Sequence, residues 1–346
     1  MKGKVEFKYE SLDGLRAYSA IGIVLMHVLS NFPVKVSENL LTTFVIPWFT
    51  NLVFLFFMIS SFSLCCGYYN RFKEGDVRPD VFYKKRYQRV FPFFAILVFL
   101  DLLVSPSLKS FFEGSVELTM MFSLLPNPKV SVIGVSWFLG VIFLFYIMFP
   151  FFVFLINTKK RAWLSLLISI FVCVVVGVNL KGLMPFDIEP IRRNNILYCM
   201  PYFILGGIIF LYKDFLRYSK RKGLMFLILA LLSLTIYFCL MINGGVAPFV
   251  DLFVFGFVLV WAISSKTRLL NNKVVRYISG ISMEIYLSHM LIFRVLEKFH
   301  FEKYIQNADL LYVLISILTI LGAVVFSHVV KYKILEKLSH INNHGK

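Results

Sequence analysis

An arginine and a histidine lie inside the first hydrophobic segment, Arg16 and His27, with ten residues between them. In a helix, eleven steps of about 100° bring the two side chains to within about 20° of one face, roughly 16 Å apart along the axis. A cation near one membrane surface would then be aligned with an imidazole deep in the bilayer. Ionisable groups within a membrane segment usually mark a pathway or a reaction centre. The pair alone also fits an arginine that snorkels to the headgroups and a histidine that bonds a neighbouring helix.

The basic cluster that follows the second hydrophobic segment could bind an anion. Arg86 and Arg89 are three residues apart at the start of the third segment, so they can share a helix face. Two guanidinium groups placed in this way form a forked site suited to phosphates. Lys84 and Lys85 beside them are better explained as topogenic charges next to anionic lipid.

Polar residues also interrupt later apolar segments. One segment opens with Ser136 and Trp137 and continues to Tyr146, and another reads GISMEIYLSHMLIF. Glu284 and His289 in the latter are about 140° apart around a helix, which predicts that they do not face one site together. Trp137 is also typical of an interfacial aromatic belt, and an isolated His289 is typical of a packed core histidine.

Composition predicts the fold class that must position these residues. Of 346 residues, 59% are hydrophobic and only 16% are charged, and apolar runs long enough to cross hydrocarbon recur along the chain. We therefore predict one all-α domain over residues 1–346, a multi-pass membrane bundle with no appended soluble domain. About ten transmembrane helices are expected, at 12–32, 44–69, 90–106, 136–156, 162–178, 196–212, 224–242, 249–265, 278–296 and 310–330.

The net charge of +17 follows from topology rather than from a nucleic-acid partner. With the N-terminus inside, 27 of the 36 basic residues fall in segments predicted to be cytoplasmic, as the positive-inside rule expects. Both termini are then expected to be cytoplasmic, and membrane lipids are an expected partner. The five cysteines lie within predicted spans without metal-ligand spacing, so we predict packing roles and no metal site.

The motifs together resemble the acyltransferase-3 family of membrane O-acyltransferases. LDGLRAYSAIGIVLMH, from Leu12 to His27, resembles the family's opening signature. The other matching motifs occur in the family's order and are FLFFMISSFSL, FYKKRYQRVFPFF, GVSWFLGVIFLFYIMFP, PYFILGG and GISMEIYLSHMLI. The chain departs from the family pattern in two ways: Ile142 and Phe143 stand where many members carry a glutamate, and Ser61 stands where glycine is usual.

The resemblance implies transfer of an acyl group, usually acetyl, from cytoplasmic acyl-coenzyme A to a hydroxyl of a cell-surface polysaccharide or lipid-linked glycan. It implies a bacterial inner membrane location and no permanently bound cofactor. Arg16, Arg86 and Arg89 are then expected to bind the donor, and His27 to act as general base, directly or through an acyl-enzyme. The expected substrate-binding residues are Trp137, Tyr146, Arg192, Arg193 and His289.

Other functions remain compatible with a polytopic chain. A glycan or lipid transporter or flippase would also contain buried polar residues, but the sequence shows neither paired inverted halves nor two matching broken helices.

Asp13, three residues before Arg16, could hold that arginine or cap the first helix.

The charge distribution generates a prediction about orientation. A reporter that is active only outside the cytoplasm should stay silent when fused after Lys346, because the basic residues favour cytoplasmic termini. Reporter activity at that position, measured against a fusion within the loop 107–135, would reverse the predicted orientation.

Overall fold

The computed structural model describes residues 9–104, 106–124, 133–179, 194–216, 218–243 and 249–337. Within these ranges the chain is helical and contains no β-strand. The helices are α1 Ser11–Ser30, α2 Ile46–Trp48, α3 Leu52–Lys73, α4 Pro79–Val104, α5 Leu108–Leu118, α6 Trp137–Leu155, α7 Lys159–Asn179, α8 Ile196–Leu211, α9 Lys220–Ile242, α10 Val250–Ser264, α11 Lys273–Gly280, α12 Ser282–Glu297 and α13 Ala308–His328.

Short polar side chains determine where several helices begin. Five helices start with a serine or asparagine whose side-chain oxygen accepts a backbone N–H of the first turn, which satisfies a group that has no partner within the helix. These capping residues are Ser107, Asn195, Ser219, Asn272 and Asn307. Within each helix, long runs of leucine, isoleucine, valine and phenylalanine then provide the apolar surface that packing or lipid requires.

Length and apolar composition qualify six helical stretches of the described chain as membrane-crossing. They are Ser11–Ser30, Leu41–Lys73, Pro79–Val104, Trp137–Leu155, Lys220–Ile242 and Ala308–Leu335. The helices Ile196–Leu211 and Val250–Ser264 are apolar but shorter. The all-helical membrane class predicted from composition is therefore observed. The count of ten spans and the cytoplasmic termini stay predictions, since residues 1–8 and 338–346 lie outside the described ranges.

Helix α1 packs against α3, α10, α11, α12 and α13. Around it, one large cluster of buried side chains joins α3, α4, α6, α8 and α10, and a smaller cluster fills the space between α1, α12 and α13. The residues of α1 that could carry chemistry therefore lie between two groups of packed helices.

Helices α3 and α8 approach so closely that their backbones touch at Gly206. A Cβ atom at this position would lie 2.3 Å from the carbonyl oxygen of Met58 and 2.9 Å from the Cβ of Ser61. Glycine at 206 is therefore required by this packing, and such a close approach is typical of helix contacts inside membranes. Ser61, one of the two departures from the family pattern, is fully buried there.

Candidate active site

Arg16 is anchored between two helices and a carboxylate. Its Nη2 donates to Ser63 Oγ of α3 at 2.7 Å, and its Nη1 donates to Asp13 Oδ1 at 3.4 Å. Asp13 also accepts a hydrogen bond from Ser279 Oγ of α11 at 2.9 Å. Because the residue at the N-cap of α1 is Glu10, Asp13 holds the arginine rather than capping the helix. The guanidinium is thereby kept from turning away to a membrane surface.

A cavity of about 350 Å³ brings Arg16 together with Arg86 and Arg89 of α4. Its wall includes Tyr146 of α6 and Tyr286 of α12 and is otherwise largely apolar. Lys84 and Lys85 are exposed and do not line it. Three guanidinium groups from two helices therefore converge on one space, and this arrangement favours an anionic ligand with several acceptor oxygens.

Aromatic rings fix the direction of Arg86. Its guanidinium carbon lies 5.0 Å from the ring centre of Tyr68, 5.4 Å from that of Phe82 and 5.9 Å from that of Tyr146. These cation–π contacts stabilise the charge without using its N–H donors. Its Nε is buried without a hydrogen-bond partner among the described residues. An incoming anion could therefore accept a hydrogen bond from an N–H of Arg86 that the described residues leave without an acceptor.

The two predicted site histidines are neighbours. The rings of His27 in α1 and His289 in α12 are 5.1 Å apart between centroids and tilted by 40°. His27 is half-buried, whereas His289 is fully buried. The sequence placed these residues in separate segments, and the pattern within each segment did not indicate that they meet.

Hydrogen bonding assigns the tautomer of His289. Its Nδ1 lies 2.7 Å from the backbone carbonyl oxygen of Tyr286. Because a carbonyl can only accept, Nδ1 carries the hydrogen, and Nε2 of the neutral ring is the acceptor. That Nε2 is buried with no hydrogen-bond partner among the described residues. An acceptor nitrogen is thus held in place next to His27.

The cavity does not extend to the histidine pair. The cavity wall includes Tyr286, whose backbone carbonyl oxygen accepts the hydrogen bond from Nδ1 of His289. Neither His27 nor His289 lines the cavity. Tyr286 therefore lies between the arginine-lined cavity and the two imidazoles. A substrate that contacted both would have to pass this tyrosine.

The other predicted site residues have different surroundings. Tyr146 lines the cavity, whereas Trp137 lies at the start of α6, 6.5 Å from Phe57 between ring centroids, and does not line it. Arg192 and Arg193 lie outside the described residues. Glu284 accepts from Lys331 Nζ at 2.6 Å, an environment separate from that of His289, as their angular separation indicates. In the described ranges, no group of three or more histidine, cysteine or acidic side chains could hold a metal ion.

Comparison with known families agrees with this arrangement of motifs. A family model described as an acyltransferase domain, Acyl_transf_3, matches residues 9–328. This chain belongs to the acyltransferase-3 family. The matched segment contains helices α1 to α13 and ends at His328, before the helical stretch Val329–Leu335. Searches of curated proteins and of solved structures returned no match.

Family membership confirms the resemblance read from the motifs. The protein is a membrane acyltransferase of the multi-pass type, and all the predicted site residues, from Arg16 to His289, lie inside the matched segment. The match does not specify the acyl group, its donor or its acceptor.

In this acyltransferase, Ile142 and Phe143 stand where the motif resemblance implies a glutamate. Ile142 lines the cavity, and the Phe143 ring packs on Tyr146 with centroids 5.4 Å apart. A buried carboxylate instead reaches the start of α6 from another element. Glu117 of α5 accepts from Ser136 Oγ at 2.9 Å, and both of its oxygens lie 3.2 Å from the backbone nitrogen of Ile133.

Sequence reasoning missed Glu117. It lies in the segment 107–135, which reads as an outer loop, and its only signal is a pair of glutamates four residues apart in an amphipathic stretch. Burial raises the pKa of the Glu117 carboxyl to about 7, and the nearby charges of Asp101 and Glu113 add to this increase. The hydrogen bonds from Ser136 and Ile133 act in the opposite direction.

The raised pKa of Glu117 predicts a pH-dependent stability. Between the carboxyl's ordinary pKa of 4.5 and its folded pKa of about 7, the folded acyltransferase keeps a proton that the unfolded chain releases. The free energy of unfolding should therefore fall as pH rises through this window, by about 3 kcal/mol for a shift of this size. Above pH 7 this contribution should be constant.

Melting temperatures in detergent at pH 5 and at pH 7.5 would test this. Glu117→Gln should lose less stability over this interval than the wild type, because its amide does not titrate. Glu113→Gln, one turn earlier in α5, is the matched control and should keep most of the wild-type pH dependence, because Glu113 is the smallest contributor to the Glu117 pKa. Equal pH dependence in Glu117→Gln and the wild type would contradict the prediction.

Proposed function

We propose that this membrane acyltransferase moves an acyl group, acetyl in the simplest case, from cytoplasmic acyl-coenzyme A to a hydroxyl of a cell-surface polysaccharide or lipid-linked glycan. The proposed location is the bacterial inner membrane. The observation that carries the proposal is the cavity in which Arg16, Arg86 and Arg89 converge. Acyl-coenzyme A carries several phosphates and a long flexible arm. The guanidinium groups of the cavity can bind the phosphates while the arm extends toward the imidazoles of His27 and His289, which lie beyond the cavity.

The charges of the cavity account for donor binding. Arg86 is oriented by aromatic rings and Arg16 by Asp13 and Ser63, so both guanidinium groups are held before a ligand arrives. Groups that are ordered in advance lose less conformational entropy on binding. Arg89 is exposed at the entrance and can contribute long-range attraction for an anion.

His27 supplies the proton transfer that the reaction needs. In the proposed step its neutral imidazole takes the proton of the acceptor hydroxyl while the oxygen attacks the thioester carbonyl. The carbon–sulfur bond then breaks, and the imidazolium returns the proton to the coenzyme A thiolate. An acyl-enzyme could divide this step in two without changing the base. Histidine suits both directions because its ordinary pKa is close to physiological pH.

His289 is proposed to position the acceptor or the ring of His27. Its Nδ1 hydrogen is engaged by the carbonyl oxygen of Tyr286, so its Nε2 can only accept a hydrogen bond while the ring is neutral. A hydroxyl or an imidazole N–H beside His27 would satisfy this nitrogen. Trp137, Arg192 and Arg193 are further proposed contacts of the acceptor.

Radiolabelled acetyl-coenzyme A, added to membranes that contain the protein, tests the proposed reaction. Label should enter the glycan fraction in a protein-dependent manner. If export of unlabelled glycan depends on the protein and no label is transferred, the protein transports glycan instead.

Arg86 tests the donor site. Arg86→Ala should raise the apparent KM for acetyl-coenzyme A about tenfold or more with little change in kcat, because phosphate binding is present in both the ground state and the transition state. Arg86→Lys keeps the charge but loses the fork and the ring contacts, so it should recover only part of the loss. Lys85→Ala, a neighbouring cation outside the cavity, is the matched control. Unchanged donor kinetics in both Arg86 variants would leave this residue a topogenic charge.

His27 tests the catalytic step. His27→Gln should lower kcat by about 10²- to 10⁴-fold at near-normal abundance, because glutamine can hydrogen-bond but cannot exchange a proton near neutral pH. His289→Gln should cost much less, since His289 is required only to donate to the Tyr286 carbonyl and to accept one hydrogen bond, and an amide can do both. The measurement is acylated glycan per folded protein. Wild-type turnover in His27→Gln would overturn the mechanism.

A further inference from the structure

Glu117 is a buried carboxylate outside the proposed cavity and the proposed reaction. Its side chain is fully buried in α5, a helix too short to cross the membrane. Its described partners are the backbone N–H of Ile133 and the hydroxyl of Ser136. A buried carboxylate is costly unless its oxygens are satisfied by donors. Its two donors both belong to the segment 133–136, immediately before α6.

The charges around Glu117 are already engaged elsewhere. On α4, Asp101 pairs with Arg294 of α12 at 2.7 Å, and on α5 itself Glu113 lies 3.7 Å from Lys109. Glu117 is therefore held by hydrogen bonds from segment 133–136 and not by an ion pair with Lys109 or Arg294. Its contribution is to the placement of that segment.

A series of hydrogen bonds connects segment 133–136 to the histidine pair. The backbone carbonyl of Val135 accepts from the hydroxyl of Tyr286 at 2.8 Å. The carbonyl of Tyr286 in turn holds Nδ1 of His289, whose ring contacts His27. Val135, Tyr286 and His289 are all buried, so water does not readily replace a lost partner along this route.

A second contact packs Phe122 and Ser123, which follow α5, against α6. Gly140 leaves room for this chain, because a Cβ there would lie 2.9 Å from Phe122 and 2.2 Å from Ser123 Oγ. Met120, between α5 and Phe122, has a left-handed backbone with φ of 56° and is fully buried. The turn that follows Glu117 is thus tightly packed, and Glu117 is its hydrogen-bonded link to the residues preceding α6.

We propose that Glu117 is a positioning residue for acyl transfer, which holds segment 133–136 so that Tyr286 and His289 keep His27 in its reacting orientation. This proposal rests on the proposed function. It assigns Glu117 no contact with the donor or the acceptor. Removing its carboxyl leaves two buried donors without a partner and frees Val135 to move, and the effect should reach His27 through Tyr286.

Steady-state kinetics of three variants test the role of Glu117. Glu117→Ala should lower kcat about tenfold or more with an unchanged KM for acetyl-coenzyme A, since the arginines lie elsewhere. Glu117→Gln should recover most of the activity because its amide can still accept from Ile133 and share a hydrogen bond with Ser136. Glu113→Ala is the matched control and should retain wild-type kcat. A Glu117→Ala enzyme with wild-type kcat, or one altered only in donor KM, overturns the proposal.

A double-mutant cycle tests the route through Tyr286. Tyr286→Phe removes the hydroxyl that bonds Val135, so its effect on kcat and that of Glu117→Ala should not add, and the double variant should resemble the more impaired single variant. Glu117→Ala combined with Arg86→Ala should show additive effects. If Glu117→Ala does not fold, Ser136→Ala replaces it in the cycle, because it removes one donor while the carboxylate stays satisfied by Ile133. Additivity with Tyr286→Phe would rule the route out.

A measurement without substrate separates this proposal from the proposed function. In protein labelled with ¹⁵N-histidine, the ring signals of His289 should shift in Glu117→Ala and stay unchanged in Glu113→Ala, because they report the hydrogen bond to Tyr286. A shift in a protein that transfers no acyl group would reject the function and keep the structural coupling. Unchanged His289 signals in Glu117→Ala would reject the coupling, whatever the enzyme does.

Discussion

A guanidinium group within a membrane helix requires partners, and the arrangement around Arg16 follows from that requirement. Hydrocarbon offers no water to an unpaired donor, so Asp13, Ser63 and Ser279 surround the charge and tie α1 to α3 and α11. The rest of α1 is then fixed in rotation. Its face toward α12 carries His27, and this is how one ion pair near the start of a helix orients an imidazole three turns away.

The second part of the site depends on aromatic side chains rather than on acids. Phenylalanine is abundant in this chain, with 39 residues, and rings of three different elements surround the Arg86 guanidinium. A carboxylate in their place would neutralise the charge and compete with an anionic ligand. Ring faces stabilise the cation while its hydrogen-bond donors stay available. Apolar composition and anion binding are thus compatible in one cavity.

Local sequence patterns predicted the features of this protein that depend on a single helix. The helical membrane class follows from composition, and the family follows from motifs such as Leu12 to His27. The same-face alignment of Arg16 and His27 requires only the helix period. The pairing of His27 with His289 could not be predicted, since it depends on how α12 packs beside α1. Glu117 was missed for the same reason, because its partners lie 16 and 19 residues further along the chain.

The contact between α3 and α8 restricts the side chains that can stand at two facing positions, 61 and 206. At position 61 a serine is accommodated and fully buried, although its Cβ would lie only 2.9 Å from a Cβ at position 206. At position 206 the nearest atom is the backbone oxygen of Met58, which is present whatever side chain stands at position 58. No mutation at position 61 would therefore make room for a side chain at position 206, because the atom that blocks it belongs to the backbone of α3.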